Sequence, residues 1–509
     1  MRSFPLFMFM LAAGMICVPI LLHPHLPLVD LPNHIARLYI AATSETALDQ
    51  YYSYDLSFQT NTAVDFLWLK IGQSFMSAEV FSNAMIAVYA VGFISAIMVL
   101  ARVIHGRWSI WPLATNLVVF NASYFFGFAN YLLTVPAAIF AFALWLWLDR
   151  QSVWVRAIIF IPICICLYAM HILGLLILIS LVFGREVQVI VVAKRSWLRV
   201  LGRNTPLAIP FAITTAMLFY AKLTQPENLF GNITRYGTFA NRIEALTSSF
   251  HFFLPKWPLW FHLGGGLILL IIFMLLLTLG LRAGPRLRLE QKMIGPSLSL
   301  FVLALCIPEV LTGVAFAHIR FPFVLIGILI AASTWVELKP RQSGILFSVL
   351  IILSAARLIS VEHMTREHSI AVRELRSVLA HVPEGARILP VRDDRQFPDR
   401  LLWHMQAHAV PAAHAFVPTL FLGSHGLKLD EAYWESALAQ GHSIPLEIFL
   451  DPPPANPNSP PLSSFNIFEN WEEKFTHVLV LTGFEQTTFD DLPLQVVSQS
   501  GDFTLFRIE

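Results

Sequence analysis

The residues best able to do chemistry begin where the first apolar run ends, in "LLHPHLPLVDLPNHIARLYIAAT", residues 21–43. On a helix beginning at Leu31 or Pro32, Asp30 shares a face with His34 at i+4 and Arg37 at i+7. A carboxylate at the mouth of a membrane cavity can take a proton from a hydroxyl and orient it for attack, beside a second polar group and a cation. The same letters also write a helix cap, in which Asp30 accepts the backbone N–H of Asn33 while His34 and Arg37 face lipid headgroups. Both readings stay open at this level.

Further candidates are spread along the chain. Asp65, in "TNTAVDFLWLK", suits a second active-site carboxylate or a metal ligand, or an acid that complements the helix macrodipole. In "AFAHIRFPF", His318 and Arg320 occupy a short turn between apolar runs, where an arginine suits a phosphate emerging from lipid or snorkels to headgroups. His171, in "CLYAMHILG", is expected as an interface residue. Glu227, Arg235 and Tyr236 offer loop contacts to a sugar. Near the C-terminus His404, His408 and His414 lie in "LLWHMQAHAVPAAHAF", where no HExxH or carboxylate set makes a metal site, so a structural or interface role is expected.

The elements that must position these groups are mostly membrane helices. Of 509 residues, 56% are hydrophobic and 13% charged, and mean hydropathy is +0.64; a soluble domain carries about twice that charged fraction. The formal net charge of +1 and the lack of a long Lys/Arg run argue against nucleic acid as a partner. Cys17, Cys164, Cys166 and Cys306 all lie inside apolar runs and read as core or lipid-facing residues. The sequons "NASY" and "NITR" matter only in a glycosylating cell.

Apolar runs of about 18 or more residues give about eleven spans, centred near Met10, Val91, Leu117, Ile139, Ile163, Ile177, Ile213, Leu269, Val302, Gly327 and Leu350. The first is read as a retained span rather than a cleaved signal. Basic residues collect in alternate loops (Arg102 and Arg107; Arg150 and Arg156; Arg185 to Arg203; Arg282 to Lys292; Lys339 and Arg341), which places the N-terminus inside, the C-terminus outside, and the Asp30 segment outward. The expected architecture is an α-helical polytopic membrane protein, residues 1–360, with long outer loops at 23–79 and 223–257. Two amphipathic helices in the first loop, after Pro32 and around Trp68, are expected to lie in the interface. Residues 361–509, with "THVLVLTG" and "LQVVSQSGDFTLFRI" reading as strands, are expected to form a small extracytoplasmic α/β domain.

This layout resembles the GT-C superfamily of membrane glycosyltransferases, which take sugars from polyprenyl phosphate. Members combine a multi-span core, an acidic motif just after the first span, interfacial helices in that loop and, often, a soluble C-terminal domain. Many carry two adjacent acids where this chain has the single Asp30 of "VDLPNH", a departure that weighs against a metal-dependent mechanism. The resemblance implies an enzyme of inverting glycosyl transfer in a bacterial plasma membrane, moving a sugar from a polyprenyl-phosphate-linked donor to an envelope or surface acceptor (glycan, lipid or protein) on the outer side. Asp30 would act on the acceptor hydroxyl and Arg320 or Arg37 would meet the leaving phosphate, with His34, Asp65, His171 and His318 as further substrate contacts. The implied partners are the lipid bilayer and the lipid-linked donor; no cofactor is certain, a divalent metal being an option. No P-loop or GxGxxG context calls for a nucleotide.

Two other classes fit the same text. A lipid-linked glycan transporter would place ionisable groups near the bilayer midplane, where Glu309 in "CIPEVLTG" is the candidate. A non-catalytic subunit of a polysaccharide assembly would use the terminal domain for protein contacts.

Overall fold

A computed structural model describes residues 4–192, 205–224, 234–250, 286–311, 314–336, 339–393, 399–422, 426–438, 441–452, 465–482, 489 and 491–509. Among them six helices are long and apolar enough to cross a membrane: α1 (Phe4–Leu21), α4 (Ala78–His105), and the helices at Ala129–Arg150, Val153–Met170, Ile172–Val192 and Arg341–Leu379. Shorter apolar helices run over Thr205–Ala221, Gln291–Cys306 and Ala317–Ala332. The expected span near Leu269, Glu227 and Asn232 of the "NITR" sequon lie outside the described residues. Where the helices Ile172–Val192 and Ile294–Cys306 cross, Gly184 and Gly295 let the backbones touch; a Cβ on Gly184 would stand 2.3 Å from the Gly295 carbonyl oxygen.

The run near Leu117 is not one span. It folds as short turns, Trp111–Thr115, Asn116–Val119 and Ala122–Phe125. Pro112 starts the first, and Asn121 ends the helical register by accepting the Tyr124 N–H at 3.2 Å while donating to the carbonyls of Val118 and Val119. Asn121 of the "NASY" sequon is thereby a buried cap. The turn after it is buried throughout residues 121–130.

The first loop holds α2 (Leu31–Ala42) and α3 (Ala63–Lys70). α2 departs from the interfacial placement its pattern suggests. Leu31, Ile35 and Leu38 join the apolar core of the membrane helices, whereas Ala36 and Ile40 join a second core made mostly of C-terminal residues. The helix is thus a filling between two layers, and Trp68 is buried too, its indole N–H donating to the Leu38 carbonyl at 2.7 Å. α3 keeps one face open, with Phe66 and Leu67 exposed.

The C-terminal layer is a five-stranded mixed sheet whose spatial order is Ile444–Pro445, Ile388–Arg392, His477–Val480, Phe503–Ile508 and Leu494–Ser500. The first three strands are parallel and the last two antiparallel to their neighbours. The 40-residue helix Pro340–Leu379 runs across the expected boundary at residue 360, and Val372, Leu375, Val378 and Leu379 enter the core of this layer. The loop is tied to the layer by an antiparallel ribbon, Tyr52–Tyr54 on Leu427–Leu429, and by the Tyr39 hydroxyl on His414 Nε2 at 2.7 Å.

Candidate active site

Asp30 lies at the N-cap position of α2, but among the described residues its side chain makes no capping bond. Its backbone explains this: at φ −85° and ψ −11° the residue is already in the helical region, so the carboxylate is turned away from the first amides. The cap reading of the sequence therefore loses its geometry. What holds Asp30 is the buried turn 121–130, whose Phe125 and Phe126 carbonyls accept the N–H groups of Val29 and Asp30 at 2.9 and 3.0 Å. Gly127 makes that approach possible with φ +76°, and a Cβ there would meet the Asp30 nitrogen at 3.0 Å.

The Asp30 side chain is 17% exposed, with Oδ1 3.6 Å from His404 Nε2. Burial pushes its carboxyl up to about 7, against the nearby charge of Arg320, which lowers it. A carboxyl titrating near neutrality beside a fixed cation can hold or release a proton at ordinary pH.

Arg320 is buried in the turn Ala317–Arg320. Its guanidinium lies 3.7 Å over the Phe128 ring, with Nη1 3.3 Å from His171 Nε2 and Nη2 donating to the Ala315 carbonyl at 3.2 Å. The Tyr131 hydroxyl binds the Arg320 carbonyl, and His171 Nδ1 accepts the Leu173 N–H at 3.0 Å. His171 thus contacts the arginine, whose charge acts on Asp30. Nε of Arg320 finds no partner among the described residues.

The other expected site residues stand differently. Arg37, 1% exposed, donates to Asp65 Oδ1 at 2.7 Å, and Asp65, fully buried, accepts the Tyr54 hydroxyl on Oδ2 at 2.6 Å. Arg37 and Asp65 thus form a buried ion pair between α2 and α3. His34 belongs to the same network, its Nδ1 3.1 Å from Arg37 Nη1. Burial, then the charge of Arg37, holds its imidazole well below the usual value. The line of base, imidazole and cation expected along α2 is therefore split: Arg37 is turned to Asp65 on α3, while His34 also bonds the Gly127 backbone and packs on Phe421. His318 is buried toward Glu309 and Arg242, and Glu309 pairs with Arg235 at 3.2 Å outside the helix Ile294–Cys306.

Among the described residues no group of three or more His, Cys, Asp or Glu is placed to hold a metal ion, and Asp30 has a guanidinium charge for a neighbour.

The sequence marked His404 for a structural or interface role without pointing to Asp30 as its neighbour, and it did not single out Gly127. His404 and His408 look paired by spacing, yet His404 precedes the short 3-10 turn Met405–His408 with φ −128°, so the two rings diverge. His404 faces Asp30, and His408 stacks edge-on with His25 at 5.8 Å. His414, as expected, is an interface residue between Tyr39 and Glu384.

The membrane-helix core, the first loop with its acid and the C-terminal sheet layer resting on that loop together make a fold shared with known membrane-protein structures. Two solved structures align end to end with the chain. ArnT from Cupriavidus metallidurans bound to undecaprenyl phosphate is 14% identical with a TM-score of 0.54, covering 100% of this chain and 99% of that one. Its apo state, also 14% identical, gives 0.53 over 99% and 98%. No family model and no curated protein matches the sequence.

Proposed function

We propose that this protein is an inverting glycosyltransferase that moves a sugar from a polyprenyl-phosphate donor to an acceptor hydroxyl on the outer side of the membrane. The observation that carries the reading is Asp30: a carboxylate freed from capping, raised to about 7 by burial and set beside a buried arginine. The likeness in fold to ArnT, whose structure holds undecaprenyl phosphate, supports a lipid phosphate as the donor's carrier.

In this reading the acceptor hydroxyl gives its proton to Asp30 as its oxygen bonds to the anomeric carbon. The bond from that carbon to the phosphate oxygen breaks with its electron pair, so polyprenyl phosphate leaves with an added negative charge. Arg320 meets that charge from a fixed position, which costs no reorganisation during the reaction. Attack from the face opposite the leaving group inverts the anomeric centre.

The test is release of undecaprenyl phosphate from a panel of synthetic undecaprenyl-phosphate-linked hexoses and pentoses by the protein in liposomes, with an envelope extract as acceptor. Mass spectrometry of the carrier and of the glycosylated product reads it. Release by the native chain and its loss in Asp30→Asn is the expected result. Movement of donor across the bilayer with no glycosidic bond formed refutes the proposal in favour of a transporter.

A further inference from the structure

We propose that His404 is a positioning residue for Asp30, so that the C-terminal layer contributes a side chain to the site formed by the membrane helices and first loop. The proposal rests on Asp30 being the base and concerns how that base is held. His404 is 1% exposed, and its Nε2 is 3.6 Å from Asp30 Oδ1. A small torsion of either side chain closes that gap to hydrogen-bond distance in the substrate-free protein.

The ring is built into place. Phe421 packs edge-on at 5.0 Å and His442 lies at 5.1 Å, itself against Trp403 at 4.1 Å. The backbone on either side is fastened to the sheet layer. Ser443 donates its N–H to the Trp403 carbonyl at 2.8 Å and its hydroxyl to the Leu402 carbonyl at 2.9 Å, and Arg392 holds the same hydroxyl at 3.1 Å. Gln406, two residues on, reaches Thr419 at 2.6 Å. A side chain fixed this firmly can dictate the rotamer of a neighbour that lacks a cap bond of its own.

The charge state follows from the surroundings. Burial, then His442, His34 and Arg392, keeps His404 well below its usual value, so the imidazole is neutral. Its Nδ1 finds no partner among the described residues, which leaves the proton on Nε2, aimed at Asp30. An N–H donated to the carboxylate favours the ionised base, and the same bond leaves the other carboxylate oxygen for the acceptor hydroxyl. Asp30 is faced by Arg320 from the Ala317–Arg320 turn and by His404 from the C-terminal layer.

The experiment compares the full-length chain with His404→Ala and His404→Gln. Infrared difference titration follows the protonated carboxyl band of Asp30, identified by its absence in Asp30→Asn; this reading needs no substrate. Loss of the donated bond is expected to raise the Asp30 midpoint by about one pH unit, and Gln, which keeps an N–H, is expected to return most of it. In the undecaprenyl-phosphate-sugar assay the acid limb of kcat/KM moves with it, a loss of about ten-fold at a pH one unit below the midpoint. An unchanged Asp30 midpoint in folded His404→Ala and His404→Gln overturns the proposal, even if turnover falls. Turnover surviving in Asp30→Asn overturns the base assignment instead, so the two failures are distinct.

Discussion

Replacing Asp30 by Asn separates the two roles its sequence position allows. In the fold its carboxyl lies at about 7 against an ordinary 3.8, a rise caused by burial. That is about three pKa units at about 1.4 kcal/mol each, or about 4 kcal/mol held against the ionised form. The sign follows from proton counting: between the two values the native chain keeps a proton that the unfolded chain has released, so stability falls as pH rises. The contribution is fully present below the unfolded value and lost as pH passes the folded one. Asparagine has no proton to lose, so Asp30→Asn gains on the native chain by roughly 2 to 3 kcal/mol between about pH 5 and about pH 8. Turnover, by contrast, falls by about 10²- to 10⁴-fold with loss of the base. Chemical denaturation of both proteins in one detergent across that pH range, with the transfer assay alongside, reads both quantities. Asparagine caps helices as well as aspartate does, so a pure cap predicts equal stability at every pH and preserved turnover. That pair of results would refute the reasoning.

Further outcomes follow from the neighbours. Asp65→Asn leaves the Arg37 guanidinium buried without a counter-charge and is expected to cost about 3 to 5 kcal/mol in chemical denaturation; the double change Arg37→Met with Asp65→Leu recovers most of it. Arg320→Met is expected to lower kcat by about 10²-fold and to move the acid limb of the pH profile upward, because the charge that lowers the Asp30 carboxyl is gone. Arg320→Lys keeps that charge and leaves the limb in place, while losing the planar contact with Phe128 and some turnover. Gly127→Ala puts a side chain at φ +76° and a Cβ against the Asp30 nitrogen; an unfolding cost of about 1 to 2 kcal/mol and a transfer rate down by more than about ten-fold are expected.

Local chemistry carried much of the plan. Pro32 and the period of apolar residues put the start of α2 at Leu31 or Pro32, and it begins at Leu31; the apolar runs near the C-terminus mark the strands His477–Val480, Leu494–Ser500 and Phe503–Ile508. The polar edge after the first apolar helix singled out Asp30 for the same reason: ionisable groups gather where a chain leaves lipid. The run near Leu117 misled, because hydropathy averages over Pro112 and Asn121, whose backbone effects break the helix.

The sequence by itself determined which segments are apolar, where helices can start, and that one acid follows the first helix. Only the tertiary structure decided that Asp30 caps nothing, that Arg37 belongs to Asp65, and that Arg320 and His404 are the acid's neighbours. Periodicity describes one helix against an average surrounding. α2 is covered on one side by membrane helices and on the other by the C-terminal layer, so the field at Asp30 is set by side chains that meet only when both layers close over it.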